Sequence, residues 1–219
     1  MKRESAMRDL NYEIISSGSK GNCVVIENIM IDCGVPYTKL KDSLPRVKYL
    51  FITHRHSDHL KVNTLERIHK EYPNIMIFTN ADVGQWLNYQ GINPYIAYFG
   101  DTATIMLSDD QAVEVFPCLH DVPCHGFIFT FDDTKVIYAT DTAEITNDRG
   151  YKFDYFFIES NYDEKKLQLL AKEYTRMGYD PIQNAHRHLS TQACKAFYYI
   201  NRVSPDSVLV EMHKSKRFY

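Results

Sequence analysis

His54-Arg55-His56-Ser57-Asp58-His59 follows directly on a short apolar run, Tyr49-Leu50-Phe51-Ile52-Thr53. Charge-free and bounded by polar residues, that run reads as part of a buried strand over residues 47–53. Imidazole nitrogen and carboxylate oxygen are the natural ligands of zinc and similar divalent ions. Three imidazoles and one carboxylate leaving a single strand end could serve two ions from one loop. The alternative is a solvated loop that happens to be rich in histidine, and the strand context weighs against it.

Working outward, further donors stand just past other expected strands. His120 follows Val113–Pro117, Asp141 follows Lys135-Val136-Ile137-Tyr138-Ala139-Thr140, and His213 follows Val208-Leu209-Val210-Glu211-Met212. Loop-borne chemistry is usually mounted at such positions. Singly, each His has a dull reading as a cap or surface group, and the Asp as a turn former. Together with the His-rich loop they form a set.

That set resembles the ligands of the metallo-β-lactamase-fold hydrolases in order and context, and Ile29-Met30-Ile31-Asp32-Cys33-Gly34 looks like that superfamily's first motif. The resemblance covers nearly the whole chain. It implies an α/β (α+β) fold: one αββα sandwich domain over residues 1–219, with two mixed sheets and helices on both outer faces. It further implies that His54, His56 and His120 hold one metal, that Asp58, His59 and His213 hold a second, and that Asp141 bridges them. Asp32 would steady a ligand histidine, although Asp-x-Gly is also an ordinary turn.

The branch can be narrowed. Ser17-Gly18-Ser19-Lys20-Gly21-Asn22-Cys23, His120-Asp121, Thr140-Asp141-Thr142, Glu159-Ser160-Asn161-Tyr162-Asp163 and His188-Leu189-Ser190 are similar to motifs of the YycJ/WalJ-type proteins, which resemble nucleases with a proposed 5′-exonuclease activity. The chain departs from that pattern at Tyr162, where His is common, at His125, and at His213-Lys214-Ser215, where His-Leu-Ser is usual. Asp141 argues against β-lactam hydrolysis, because many antibiotic-cleaving members carry cysteine there.

The expected chemistry is phosphodiester hydrolysis, most simply of DNA. Two divalent ions, zinc first and manganese or iron as alternatives, would activate water and neutralise phosphate oxygens. Asp58 could orient the nucleophile. His188 is the candidate general acid, since histidine titrates near working pH. His186 and His188 with Arg187 could instead contact phosphate, or lie in a surface loop before a capped helix. Ser19, Lys20 and Asn22 could bind substrate phosphate through side chains and turn amides, or form only a tight turn. A cyclic-nucleotide phosphodiesterase is the close alternative, and a non-catalytic metal-binding regulator the remote one.

Composition bounds the rest. The 219 residues suffice for one large domain, and a net charge of −3 disfavours a wholly basic nucleic-acid surface without excluding a local one. No apolar run reaches the length of a membrane span. The charged start, Met1-Lys2-Arg3-Glu4-Ser5, leads into no apolar signal core, and five cysteines without a CxxC pair suggest reduced thiols in a cytoplasmic setting. The expected partner is a nucleic acid or cyclic nucleotide substrate rather than a membrane, and a homodimer is allowed.

Patterning predicts strands over 12–16, 23–27, 29–32, 75–78, 95–99, 102–107, 112–117, 127–131, 135–139, 155–159 and 207–212. It predicts helices over 62–71, 81–89, 165–177 and 191–200, the last with Ser190 as N-cap. His69 is expected to be exposed. The basic tail from Lys214 to Tyr219 reads as a solvated end. Strands in two batches, each followed by helices, fit two sheets packed face to face.

Overall fold

The computed structural model describes residues 8–91, 96–176, 181–216 and 219. The charged start at residues 1–5, the first residue of the expected 95–99 strand, the last of the 165–177 helix, and Arg217 and Phe218 lie outside the described residues. The chain forms two compact units, each around its own mixed sheet. The class is α+β.

The N-terminal unit holds residues 10–103 and 122–125. Its strands lie side by side in chain order: β1 (Tyr12–Ser16), β2 (Cys23–Ile26), β3 (Ile29–Ile31), β4 (Tyr49–Phe51), β5 (Met76–Thr79) and β6 (Ile96–Tyr98). The first three pair antiparallel and β3 to β6 pair parallel. Every residue of β2 and β3 is buried, as expected of continuous apolar runs without alternation. Helix α1 (Val62–Glu71) sends Leu65 and Ile68 into a core shared with Leu50, Ile52 and Ile77. Helix α2 (Ala81–Tyr89) is capped by Asn80, whose Oδ1 accepts from the Val83 amide at 2.8 Å.

Strand β4 is shorter than the predicted 47–53. At its start, the Val47 amide closes a 3-10 turn on the Leu44 carbonyl. At its end, the Thr53 amide leaves the ladder for the Asp32 carboxylate at 2.8 Å. The His loop therefore begins where the backbone is already held by a side chain. His69 is half-buried on α1 rather than exposed.

The C-terminal unit holds residues 104–121 and 126–219 with the short N-terminal end. Its strands are β7 (Thr104–Ser108), β8 (Gln111–Cys118), β9 (Cys124–Phe131), β10 (Thr134–Ala139), β11 (Tyr155–Glu159) and β12 (Val208–Met212), in the order β12-β11-β10-β9-β8-β7. Strand β10 is antiparallel to β9 and parallel to β11, which is parallel to β12. The helices are α3 (Glu164–Arg176), the short α4 (Pro181–Ala185) and α5 (Thr191–Asn201). Phe153, Phe156, Phe197 and Tyr198 dominate the core under α5, with Phe156 edge-on to Tyr198 at 5.0 Å. Ser190 caps α5 through the Ala193 amide at 3.0 Å. The Tyr219 hydroxyl donates to Glu211 at 2.8 Å, and Lys214, Lys216 and Tyr219 are exposed, as expected of a solvated tail.

All five cysteines are free, with Cys118 half-buried and the others buried. No helix among the described residues is long and apolar enough to cross a membrane.

Candidate metal-binding sites

In the N-terminal unit three loops interlock around the His-rich segment. Asn22 donates its amide N–H to the Asp58 carbonyl at 2.6 Å, Gly34 to the Asn22 carbonyl at 3.0 Å, and Cys33 to the His59 carbonyl at 2.9 Å. Gly34 lies so close to the His loop that a Cβ there would sit 1.7 Å from the Asp58 carbonyl oxygen. Only glycine permits that approach.

The side chains repeat this organisation. His54 and His59 are wholly buried, and His56 and Asp58 half-buried. The His54 Nε2 and His56 Nδ1 atoms are 3.1 Å apart. His59 Nδ1 donates to Asp32 Oδ2 at 2.6 Å, and Thr53 Oγ1 donates to the same carboxylate at 2.9 Å. A His59 protonated on Nδ1 keeps the Nε2 lone pair for a ligand, which matches the Asn22 Nδ2 donor 2.8 Å from it. Burial raises the Asp32 carboxyl, opposed by the charge and hydrogen bonds of His59 and Thr53. Cys124 Sγ lies 3.5 Å from His54 Nδ1, away from the nitrogen that faces His56.

Of the expected phosphate contacts here, Ser19 and Lys20 are exposed. Asn22 is fully buried, and its amide is committed inward to the Gly18 N–H, Asp58 and His59. Its position is that of a tie between the turn and the His loop, where the sequence suggested a substrate contact.

In the C-terminal unit, Asp141, Glu159, His188 and His213 each offer a donor atom within 4.8 Å of the others. Glu159 ends β11 and is fully buried. Its Oε1 accepts from His188 Nδ1 at 2.7 Å and His213 Nδ1 at 3.1 Å, and its Oε2 accepts from the Thr142 amide at 3.0 Å. His213 then presents Nε2 to Asp141 Oδ1, 3.6 Å away. The His188 and His213 rings stack at 5.3 Å. Asn161 completes the group by donating to the His213 carbonyl at 2.8 Å.

Burial alone would raise Glu159, but hydrogen bonds from His188 and His213 outweigh it and hold the carboxyl below its usual range. Burial alone would depress His188, but the hydrogen bond and charge of Glu159 raise it above the ordinary imidazole value. His120 is half-buried, its Nε2 3.2 Å from Asp121 Oδ1. Arg187 pairs with Asp121 at 3.2 Å, so this cation already has a carboxylate partner. His186 is exposed.

Sequence reasoning placed Glu159 in a branch motif but gave it no role. Its signal is visible in retrospect: an ionisable residue closing the otherwise apolar run Tyr155-Phe156-Phe157-Ile158.

Asp32, Asp141 and His213 adopt φ angles of 61°, 55° and 50°. This left-handed region is uncommon for residues with a side chain, and its strain concentrates at functional positions. Among the described residues the other two such positions, Glu27 and Asp132, sit in the turns joining β2 to β3 and β9 to β10.

Both donor groups consist of imidazole and carboxylate, a chemistry suited to zinc, manganese or iron. The His59–Asp32 and His213–Glu159 pairs supply the outer hydrogen bonds that metal-binding histidines require. The residues present therefore fit divalent metal ions.

Residues 27–212 match the family described as Beta-lactamase superfamily domain. Among solved structures, human tRNase Z, short form, aligns with a TM-score of 0.69 at 18% identity, covering 94% of this chain and 93% of that one. The metallo-beta-lactamase fold protein YhfI from Bacillus subtilis aligns at 0.69 and 14% identity, covering 94% and 86%. A diphosphatase from the PhnP family aligns at 0.66 and 12% identity, covering 94% and 87%.

Proposed function

Because the chain belongs to the beta-lactamase superfamily, we propose that it is a metal-dependent phosphodiesterase acting on nucleic acid, with DNA as the leading substrate. In this reading the residues that would hold divalent ions, zinc first, are His54, His56, Asp58, His59, His120, Asp141 and His213. When bound, such ions acidify water and offset negative charge on phosphate oxygens.

The observation that carries the proposal is the Asp141–Glu159–His188–His213 cluster: carboxylate and imidazole donors, with His188 held by Glu159 at 2.7 Å. That hydrogen bond fixes the His188 ring through Nδ1 and favours its protonated form, leaving Nε2 to carry a proton. His188 would deliver it to the leaving oxygen, and Glu159 would stabilise the imidazolium in the meantime. Asp58, half-buried beside His59, would orient the attacking water. The names of two relatives, a tRNase and a diphosphatase, support a reaction at phosphorus. Placement in the YycJ/WalJ-type branch, and with it a cytoplasmic DNA exonuclease, rests on the motifs around Ser17–Asn22 and His188-Leu189-Ser190.

The test is an assay of metal-reconstituted protein on linear DNA beside cyclic mononucleotides. DNA hydrolysis that is lost on chelation and in His59→Ala is expected. Preferential turnover of cyclic mononucleotides would transfer the substrate to that class. Activity on neither, with metal bound, would overturn the proposal. His188→Ala should slow turnover while the bound metal is retained.

A further inference from the structure

Arg55 and Ser57 are the two spacers of the His loop, and both lie beside α2 or residues close to it. Arg55 Nε pairs with Asp82 Oδ2 of α2 at 3.0 Å, tying the loop to that helix. Ser57 lines an open, solvent-exposed cavity of about 660 Å³ that lies within the N-terminal unit and is also lined by Tyr37, Lys61, Asn63, Arg67 and Trp86. That volume falls in the range of small-molecule sites, which span about 300–1,000 Å³.

The lining is rich in committed geometry and in uncommitted donors. The Arg67 guanidinium stacks 4.1 Å over the Tyr37 ring and donates through Nε to Glu71 at 2.6 Å. The Tyr37 hydroxyl takes the other Glu71 oxygen. These contacts fix Arg67 in place, leave its remaining N–H groups for a ligand, and occupy the nearby carboxylate. Among the described residues, the Lys61 ammonium, the Trp86 indole N–H and the Ser57 hydroxyl make no side-chain hydrogen bond or ion pair. Lys61 also stands at the N-cap of α1 without a side-chain cap bond, and the first turn of that helix holds no acidic residue. Trp86 is half-buried against the core, so its ring is held from one side.

Two cations, further donors and a supported indole select a ligand with an aromatic portion and an anionic one. We infer that the cavity is a nucleotide subsite: a base stacks on Trp86 while its phosphate is held by Lys61 and Arg67. This deepens the phosphodiesterase reading and rests on it for the origin of the nucleotide. The nucleotide unit is either part of a strand whose neighbouring phosphodiester lies at the His loop, or a free mononucleotide.

Trp86 is the only tryptophan of the chain, so its fluorescence reports on the cavity directly. The metal-free 219-residue chain is titrated with deoxyadenosine 5′-monophosphate and with a short single-stranded oligodeoxynucleotide. Deoxyadenosine and inorganic phosphate serve as separate arms. A saturable fluorescence change with the nucleotide or the strand is expected, with affinity reduced about tenfold in Lys61→Gln, the loss of one charge-assisted contact. Tighter binding of the strand assigns the subsite to polymeric substrate, and tighter binding of the mononucleotide to the free form. The inference is overturned by no response to either, by equal affinity in a folded Lys61→Gln variant, or by nucleoside or phosphate alone binding as well as the nucleotide. Hydrolysis by the metal-loaded protein is scored independently. Failed binding with intact hydrolysis therefore removes only the subsite, and absent hydrolysis removes the phosphodiesterase reading.

Discussion

His59 Nδ1 and Asp32 Oδ2 are 2.6 Å apart, and both side chains are wholly buried. The pair joins the His loop to the end of β3 and sets the histidine tautomer with a lone pair on Nε2. Asp32→Ala leaves buried donors of His59 and Thr53 without their acceptor, a cost of about 1–3 kcal/mol. It also frees the imidazole to reorient, and loss of such outer partners lowers metal affinity by about 10–100-fold. Competition with a chromophoric chelator measures the affinity, and thermal melting of the metal-free form measures the stability cost. Unchanged affinity would show that Asp32 serves the fold alone.

Gly34→Ala is a sharper probe of the same junction. The new methyl group would meet the Asp58 carbonyl oxygen at 1.7 Å, and both partners are backbone, so the His loop must shift. Overpacking of this kind costs about 1–3 kcal/mol. At about 2–4 °C per kcal/mol for a chain of this size, melting falls by several degrees. Metal affinity should fall with it, because Asp58 and His59 move together. A variant with wild-type melting and metal binding would contradict this account of the junction.

The outlines of the fold were legible where one physical signal dominated. Residues 62–71 and 81–89 carry helical spacing and appear as α1 and α2 with the same bounds, and 155–159 is a buried apolar run that appears as β11. Boundaries moved where a long-range hydrogen bond decided them. The Asp32 carboxylate takes Thr53 out of β4, a competition invisible in the local sequence. The first residues of β9, Cys124 and His125, were missed because polar neighbours mask the strand pattern, and α4 spans only five residues, too few for a period. Glu159 went unassigned for a related reason: its meaning lies in two histidines 29 and 54 residues further along the chain.

Glu159 also gives the metal-free protein a defined pH response. Its carboxyl is lowered from 4.5 on folding, so its contribution is present above that value and is lost as pH falls through the lowered one. The His188 imidazole is raised from 6.5, so its contribution is full below that value and is lost as pH rises through the raised one. Both contributions therefore coexist between pH 4.5 and 6.5. The melting temperature of the chelated protein should be highest in that window relative to Glu159→Gln, and the difference should shrink on either side. A difference independent of pH would show that the pair is not ionised.

The thiols should divide by accessibility. Burial pushes Cys23 and Cys33 well above the usual thiol range and Cys194 up to about 12, whereas Cys118 is half-buried. Because the thiolate is the reactive form, alkylation of the native protein should modify Cys118 first and the other four only after unfolding. Peptide mass spectrometry after a timed quench reads this directly. Rapid labelling of Cys23 or Cys33 would reveal opening of the N-terminal core.

The left-handed backbone at Asp32, Asp141 and His213 bears on how this protein would respond to selection for robustness. Glycine would relieve that strain at no steric cost, but at Asp32 and His213 it would also take the partner from a buried hydrogen bond. The two effects oppose each other, so heat tolerance alone is a poor guide at these positions. A stability campaign on this chain has to score turnover or metal retention alongside melting to read them.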